Sequence, residues 1–263
     1  HMQETAVNVV WFGFVASLVA GLGTGVGALG VFFVRRLTDA TEDLLLSFAA
    51  GIMLAASFFS LLLPAIAYGE AEFGGREAAV GVVIAGLALG ALALAGIHRY
   101  VPHEHFLSGR EGPDTAALER IWLFIIAITL HNFPEGMAVG VGFAGGNIDN
   151  GLSLATGIGI QNLPEGLAVA VSLIGAGYTR TQSWLVAFLT GLAEPVGGLF
   201  GGAAVSVAGP LMPWALAFAA GAMLFIISDE IIPETHRRGV QNIATFSLLA
   251  GFAVMMYLDA TLG

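Results

Sequence analysis

His131-Asn132-Phe133-Pro134-Glu135-Gly136-Met137-Ala138-Val139 returns 30 residues later as Gln161-Asn162-Leu163-Pro164-Glu165-Gly166-Leu167-Ala168-Val169. Each copy interrupts a long apolar run with polar and charged side chains. A glutamate at the centre of a hydrophobic span costs at least ~2.5 kcal/mol unless something compensates it. Two such glutamates, each one helical turn after a candidate ligand, point to a bound cation as the compensation. His131 and Glu135 stand four apart, on one helix face and within reach of a single ion. Gln161 and Glu165 repeat that spacing.

The prolines sharpen the picture. Pro134 cannot donate to the carbonyl of Leu130, nor Pro164 to that of Ile160, so both helices are expected to kink and to turn freed carbonyls toward a polar centre. Each motif begins about a dozen residues into its run, roughly 18 Å at 1.5 Å per residue, near a bilayer midplane. A third buried acid, Glu194, lies in Gly191-Leu192-Ala193-Glu194-Pro195-Val196-Gly197-Gly198, again mid-span and beside a proline. A single Asn-x-Pro reads as a kink and a single buried histidine as a hydrogen-bonded one. Two copies at matching depth with a third acid favour a metal site instead. Carboxylates bridging ions, with imidazole nitrogen and amide oxygen filling in, suit a borderline divalent metal such as Zn²⁺. Met53, in Gly51-Ile52-Met53-Leu54, lies at similar depth and taken alone reads as a packing methionine.

Around the repeat the chain is a membrane protein. Hydrophobic residues make up 57% of it and charged residues 11%, outside the soluble range. The apolar residues fall into runs long enough to span as helices, and the alternating strands of a barrel are absent. Eight spans are read, at about 6–34, 43–67, 77–101, 120–146, 150–176, 183–208, 211–235 and 242–262, in one transmembrane unit over 1–263. A polar loop over 102–119 separates the third and fourth. The two motif copies, in adjacent spans joined by a short turn, run antiparallel. They are therefore related by an approximate two-fold axis in the membrane plane, inside a 3+2+3 inverted-repeat layout. The flanking triplets show only weak sequence similarity.

The 37 glycines fit close helix packing in a membrane. Small-residue stripes around Gly197-Gly198 and Gly201-Gly202 would pack helices within a subunit or across a homodimer. There are no cysteines, so neither disulfides nor thiolate ligation arise. The nine basic residues are all arginine, against 19 acids, and no basic cluster exists to grip nucleic acid. Arg35, Arg36, Arg99, Arg110, Arg120, Arg180, Arg237 and Arg238 fall on one side of the alternating spans, with only Arg76 on the other. That bias places the arginine-rich loops, 102–119 included, in the cytoplasm and both termini outside it. His1-Met2 reads as a cloning remnant, with no signal-type segment after it. Toward the cytoplasmic end, Asp229, Glu230, Glu234 and His236, with His98, His103 and His105, form either solvated ends or a metal exit route.

His-Asn-x-Pro-Glu-Gly on span four, Gln-Asn-x-Pro-Glu-Gly on span five and Glu-Pro on span six resemble the ZIP (Zrt/Irt-like) metal transporters, in particular their bacterial branch. The likeness covers essentially the whole chain. It implies import of Zn²⁺, with Cd²⁺ and other divalent metals, across a bacterial inner membrane, through a central site for two glutamate-bridged metals. Carried onto this chain, the first metal takes His131, Glu135, Gln161 and Glu165, with Met53 as a further ligand. The second takes Asn132, Glu135, Asn162, Glu165 and Glu194. Many eukaryotic members carry a His-Glu pair where Gln161-Asn162 stands, so the second metal meets less negative charge here. The resemblance would also suit an acidic residue at 98, where this chain has histidine. Alternating access is the expected mechanism, with channel-like conduction as its rival. Two other classes compete. An intramembrane metalloenzyme lacks its His-Glu-x-x-His helix or the histidines of a membrane oxygenase. A proton-coupled solute carrier leaves the His-x-x-x-Glu spacing unexplained.

Overall fold

The computed structural model describes residues 2–34, 36–100, 103–105, 109–111, 120–143, 146–175, 178–207, 210–236, 239 and 241–262. Apart from a hairpin pairing β1 (His103–His105) antiparallel to β2 (Gly109–Glu111), its elements are helices. Six helical stretches are long and apolar enough to cross a membrane: Val9–Phe32, Asp39–Phe73, Arg76–Tyr100, Arg180–Ser206, Leu211–Ile231 and Gln241–Leu262. The two motif-bearing helices, α5 (Arg120–Gly142) and α6 (Ile148–Gly175), measure about 35 and 42 Å at 1.5 Å per residue. The protein is an all-α membrane protein. The hairpin is all that is described of loop 102–119, the remainder of which lies outside the described residues.

Four segments form an inner bundle. α1 (Met2–Ala28, ending in a 3-10 turn at Leu29–Phe32) packs along α6, while α5 packs along α8 (Ala193–Val207). α1 crosses α7 (Arg180–Gly191) and α8, and α5 meets α6. Outside this bundle, α2 (Asp39–Ala56) pairs with α11 (Gln241–Leu262) and leans on α6; α9 (Leu211–Ile226) pairs with α4 (Arg76–Tyr100) and leans on α5. Exchanging α1, α2, α4 and α5 for α7–α8, α9, α11 and α6 maps this packing scheme onto itself.

The outer helices repeat in sequence as well, more clearly than their overall similarity suggests. Ala49-Ala50-Gly51-Ile52-Met53-Leu54 on α2 matches Ala219-Ala220-Gly221-Ala222-Met223-Leu224 on α9, 170 residues apart. Both stretches lead into a π-helical segment, Ser57–Leu62 and Ile227–Ile231, each continued by a short helix with a proline in its first turn: α3 (Leu63–Phe73) and α10 (Ile232–Thr235). Pro64 has no N–H for the carbonyl of Ser60, which accepts from Asn150 Nδ2 at 3.1 Å instead. Composition gives no warning of a π segment beyond the proline that follows it.

Other polar contacts fix which ends lie together. Arg180 Nη1 donates to the carbonyl of Phe32 at 3.1 Å, joining the start of α7 to the end of the 3-10 turn after α1. His98 at the end of α4 meets Glu230 on the π segment after α9. Where the inner bundle meets α4 and α9 lies an apolar groove of about 260 Å³, walled by Met137, Val141 and Phe200 on one side and Gly86, Leu89 and Trp214 on the other. The glycine stripe expected to serve packing within or between subunits is used within the chain. Gly197 and Gly201 lie against the backbone of α5, and Gly198 against Ser17 of α1.

Candidate metal centre

Both motif prolines sit inside continuous helices: α5 and α6 run α-helical on either side of Pro134 and Pro164. The asparagine two residues before each proline is buried and stitches its helix to a neighbour. Asn132 Nδ2 donates to the carbonyl of Thr190 at 2.9 Å, and Asn162 Nδ2 to that of Ala20 at 2.7 Å. The glycine two residues after each proline lets the same neighbour come close. A Cβ on Gly136 would collide with the backbone of Glu194, and one on Gly166 with the backbone of Thr24. Asn-x-Pro-Glu-Gly thus docks its helix closely against a neighbour.

Glu194 reaches the centre by another route. The sixth helical segment breaks at Leu192, and Glu194 falls in the first turn of α8. A carboxylate there faces the positive end of the helix dipole, worth about 0.3–1 kcal/mol. Pro195 has no N–H for the carbonyl of Gly191, so the break carries no lost donor.

These elements gather six of the eight expected central residues. Gln161 Nε2 donates to Glu135 Oε1 at 2.7 Å and to Glu165 Oε2 at 3.1 Å, so the amide stands between the two motif carboxylates. Asn162 Nδ2 donates to Glu194 Oε1 at 2.7 Å. Asn132, Glu135, Gln161, Asn162 and Glu194 are all buried, and Glu165 is half-buried. Four oxygens among them have no hydrogen-bond partner: Glu135 Oε2, Gln161 Oε1, Asn162 Oδ1 and Glu194 Oε2. Among the described residues no three histidine or acidic side chains are gathered as a ready-made metal cage. The carboxyl groups are held apart by amides, and the Gln161 and Asn162 amides each keep an oxygen without a hydrogen-bond partner. Met53 is buried on α2, the outer helix that leans on α6. His131 lies on α5, one turn before Glu135, but its side chain is outside the described residues.

The group that the sequence reading assigns to the cytoplasmic end divides. His98 is buried, 3.0 Å from Glu230 and 3.7 Å from the half-exposed Asp229, and these three come together. His236 sits apart, tied to the carbonyl of Ile232 at 2.9 Å and to the hydroxyls of Thr235 and Thr245. The side chains of Glu234, His103 and His105 lie outside the described residues. Sequence reasoning overlooked the carbonyls of Ala20 and Thr190, which hold the asparagines, and Thr24, which faces Gly166. Their signal was faint: the small-residue pair Gly21 and Gly191, 170 residues apart.

Fold and site together define a class: a polytopic helical membrane protein with an oxygen-rich polar centre built on proline-bearing and broken helices. The ZIP Zinc transporter family model matches residues 99–259. The chain is 45% identical over 251 residues to the zinc transporter GufA of Myxococcus xanthus, covering 95% of this chain and 99% of that protein. It is 46% identical over 240 residues to the zinc transporter ZIPB of Bordetella bronchiseptica, covering 91% and 78%. With human zinc transporter ZIP11 it shares 35% over 325 aligned positions, covering 91% and 94%. The chain belongs to the ZIP zinc-transporter family. That membership makes it a transporter and removes the intramembrane metalloenzyme.

Proposed function

We propose that this chain carries Zn²⁺ into the cytoplasm through the cluster of Glu135, Gln161, Asn162, Glu165 and Glu194. The observation that supports this reading most is the set of four buried oxygens without hydrogen-bond partners. Burying an unsatisfied acceptor costs about 1–3 kcal/mol, more where the group is charged. Four in one place, two of them on carboxylates, make a site whose deficit a divalent cation would relieve. The Gln161 amide lies where such an ion would bridge Glu135 and Glu165, so rotation of the amide would present Oε1 to the ion.

In this reading the first metal takes His131, Glu135, Gln161 and Glu165, with the Met53 thioether as a softer donor. The second takes Asn132, Glu135, Asn162, Glu165 and Glu194. Nitrogen, sulfur and carboxylate donors together admit Cd²⁺ as a further cargo. Direction rests on the arginine-rich loops, which face the cytoplasm and leave both termini outside. His98, Asp229 and Glu230 would receive the ion on its way out, with Glu234, His236, His103 and His105 further along. The exchangeable packing scheme fits an inverted repeat, and the apolar groove beside Met137 and Phe200 fits an inner bundle that shifts against the outer helices. Ligating carboxylates must be deprotonated, so zinc affinity falls as pH falls.

Zinc uptake into proteoliposomes tests the proposal. Glu135→Ala should abolish uptake while the protein still purifies as a folded species. Normal uptake by that variant would show that the ion does not pass through this cluster. Zinc-independent flux of an organic solute would favour the solute-carrier reading instead.

A further inference from the structure

We propose that Thr24 is an oxygen donor of the transport site, the neutral counterpart of Glu194 on the opposite helix; the inference rests on the proposed central site. Four relations give the same correspondence. α1 crosses the break between α7 and α8 reciprocally. A Cβ on Gly21 would strike the Gly191 carbonyl and lie 3.2 Å from Glu194 Cβ, while one on Gly191 would strike the Gly21 carbonyl and lie 3.1 Å from Thr24 Cβ. Gly136 rests on the backbone of Glu194 and Gly166 on that of Thr24. Asn132 binds the carbonyl four residues before Glu194, and Asn162 binds the carbonyl four residues before Thr24. Residues 24 and 194 are 170 apart, the offset that also relates Ala49–Leu54 to Ala219–Leu224.

The Thr24 hydroxyl is buried without a hydrogen-bond partner, a state it shares with those of Ser47, Ser153 and Ser183; its place in the crossing with Gly191, one turn from Gly21, sets it apart. A threonine or serine inside a helix ordinarily bonds back to a carbonyl three or four residues earlier. Ser17 does so to Gly13 at 2.6 Å and Thr190 to Ala187 at 2.8 Å. For Thr24 the carbonyl one turn back is Ala20, which already accepts from Asn162 Nδ2. Thr24 is 2% exposed, and its Oγ1 has no hydrogen-bond partner. Its counterpart, Glu194, likewise holds Oε2 without one. Both helices therefore bring an oxygen with uncommitted lone pairs to equivalent places beside the two asparagines, one charged and one neutral. With a divalent ion between them, Glu194 supplies charge and Thr24 closes the coordination shell without adding more.

Zn²⁺ titration of the full chain in lipid nanodiscs, with thermal unfolding of the metal-free protein alongside, tests this. Thr24→Val keeps shape and loses the oxygen, so zinc affinity should fall about tenfold, the scale of losing one supporting group at a metal site. Metal-free stability should hold or rise, because an unpaired buried hydroxyl is gone. Thr24→Ser should keep the affinity. Unchanged affinity in Thr24→Val would overturn the proposal, as would an equal loss in Thr24→Ser accompanied by a lower metal-free melting temperature. An arm swap supplies a second reading: Glu194→Thr should weaken binding, and adding Thr24→Glu should recover about tenfold of it. Failure to recover would overturn the equivalence. Glu135→Gln separates the two levels: if it binds zinc normally, the central site itself is wrong, whereas its loss beside a normal Thr24→Val sinks the Thr24 assignment alone.

Discussion

Replacing Gln161 with leucine removes the amide that stands between the two motif glutamates. Its bonds to Glu135 at 2.7 Å and Glu165 at 3.1 Å are both charge-assisted. Such bonds contribute about 1.5–3 kcal/mol each when buried. The Glu135 bond is fully enclosed and takes the upper part of that range; the Glu165 bond is longer and half-exposed, and about 1 kcal/mol is a fairer share. The sum, about 3–4 kcal/mol, corresponds to a fall of roughly 10 °C in melting temperature for a chain of this size. Thermal unfolding in detergent with a chelator present measures it. Saturating Zn²⁺ should then narrow the gap between Gln161→Leu and the parent, because a cation between the carboxylates takes over the compensation. A metal-free variant melting within about 2 °C of the parent would refute the bridging role, since that shift is below 1 kcal/mol. A gap that stays the same with zinc would refute binding between Glu135 and Glu165.

Other outcomes follow from the same geometry. Gly136→Val and Gly166→Val drive a side chain into the backbones of Glu194 and Thr24 and should destabilise by about 1–3 kcal/mol or more, seen as lower melting temperature and lost zinc uptake. Gly81→Ala, inside α4 with nothing within 4 Å of the added carbon, should melt at or slightly above the parent, since alanine gains about 0.4–1 kcal/mol in such a position. His98→Leu takes from the buried Glu230 a partner at 3.0 Å and should cost about 1–3 kcal/mol, read by thermal unfolding; His98→Leu/Glu230→Leu should be milder, because both members of the pair are removed. Asn132→Ala breaks the bond to Thr190 and should lower stability by about 1 kcal/mol, read by denaturation of the metal-free protein.

Much of this molecule is legible in the order of its residues. The long apolar runs carry the helices, and the echo at 131 and 161 carries the motif glutamates, because acids mid-span are too costly to be incidental. Glu194 stands out for the same reason. Less legible is what the small residues do. Ala49–Leu54 and Ala219–Leu224 match in five of six positions, yet alanine and glycine are so frequent here that the match hides in the composition. The break at Leu192 is invisible without the packing that requires it, and the π segments after α2 and α9 show only as the prolines beyond them. Direction of hydrogen bonding is hidden too: spacing makes Gln161 a ligand candidate, whereas its amide is engaged as a donor to both glutamates. Thr24 escaped because a hydroxyl among apolar residues normally satisfies itself, and the claim of Asn162 on Ala20 is a tertiary fact.

The central question is whether an ion sits among these carboxylates. An anomalous-scattering map from crystals soaked in Zn²⁺ answers it directly. Density between Glu135 and Glu165, within bonding distance of His131, is the result expected, with a second peak toward Glu194 and Thr24 if two ions bind. Peaks confined to the ends of the helices, around His98 and Asp229 or at the surface, would contradict the assignment of the site.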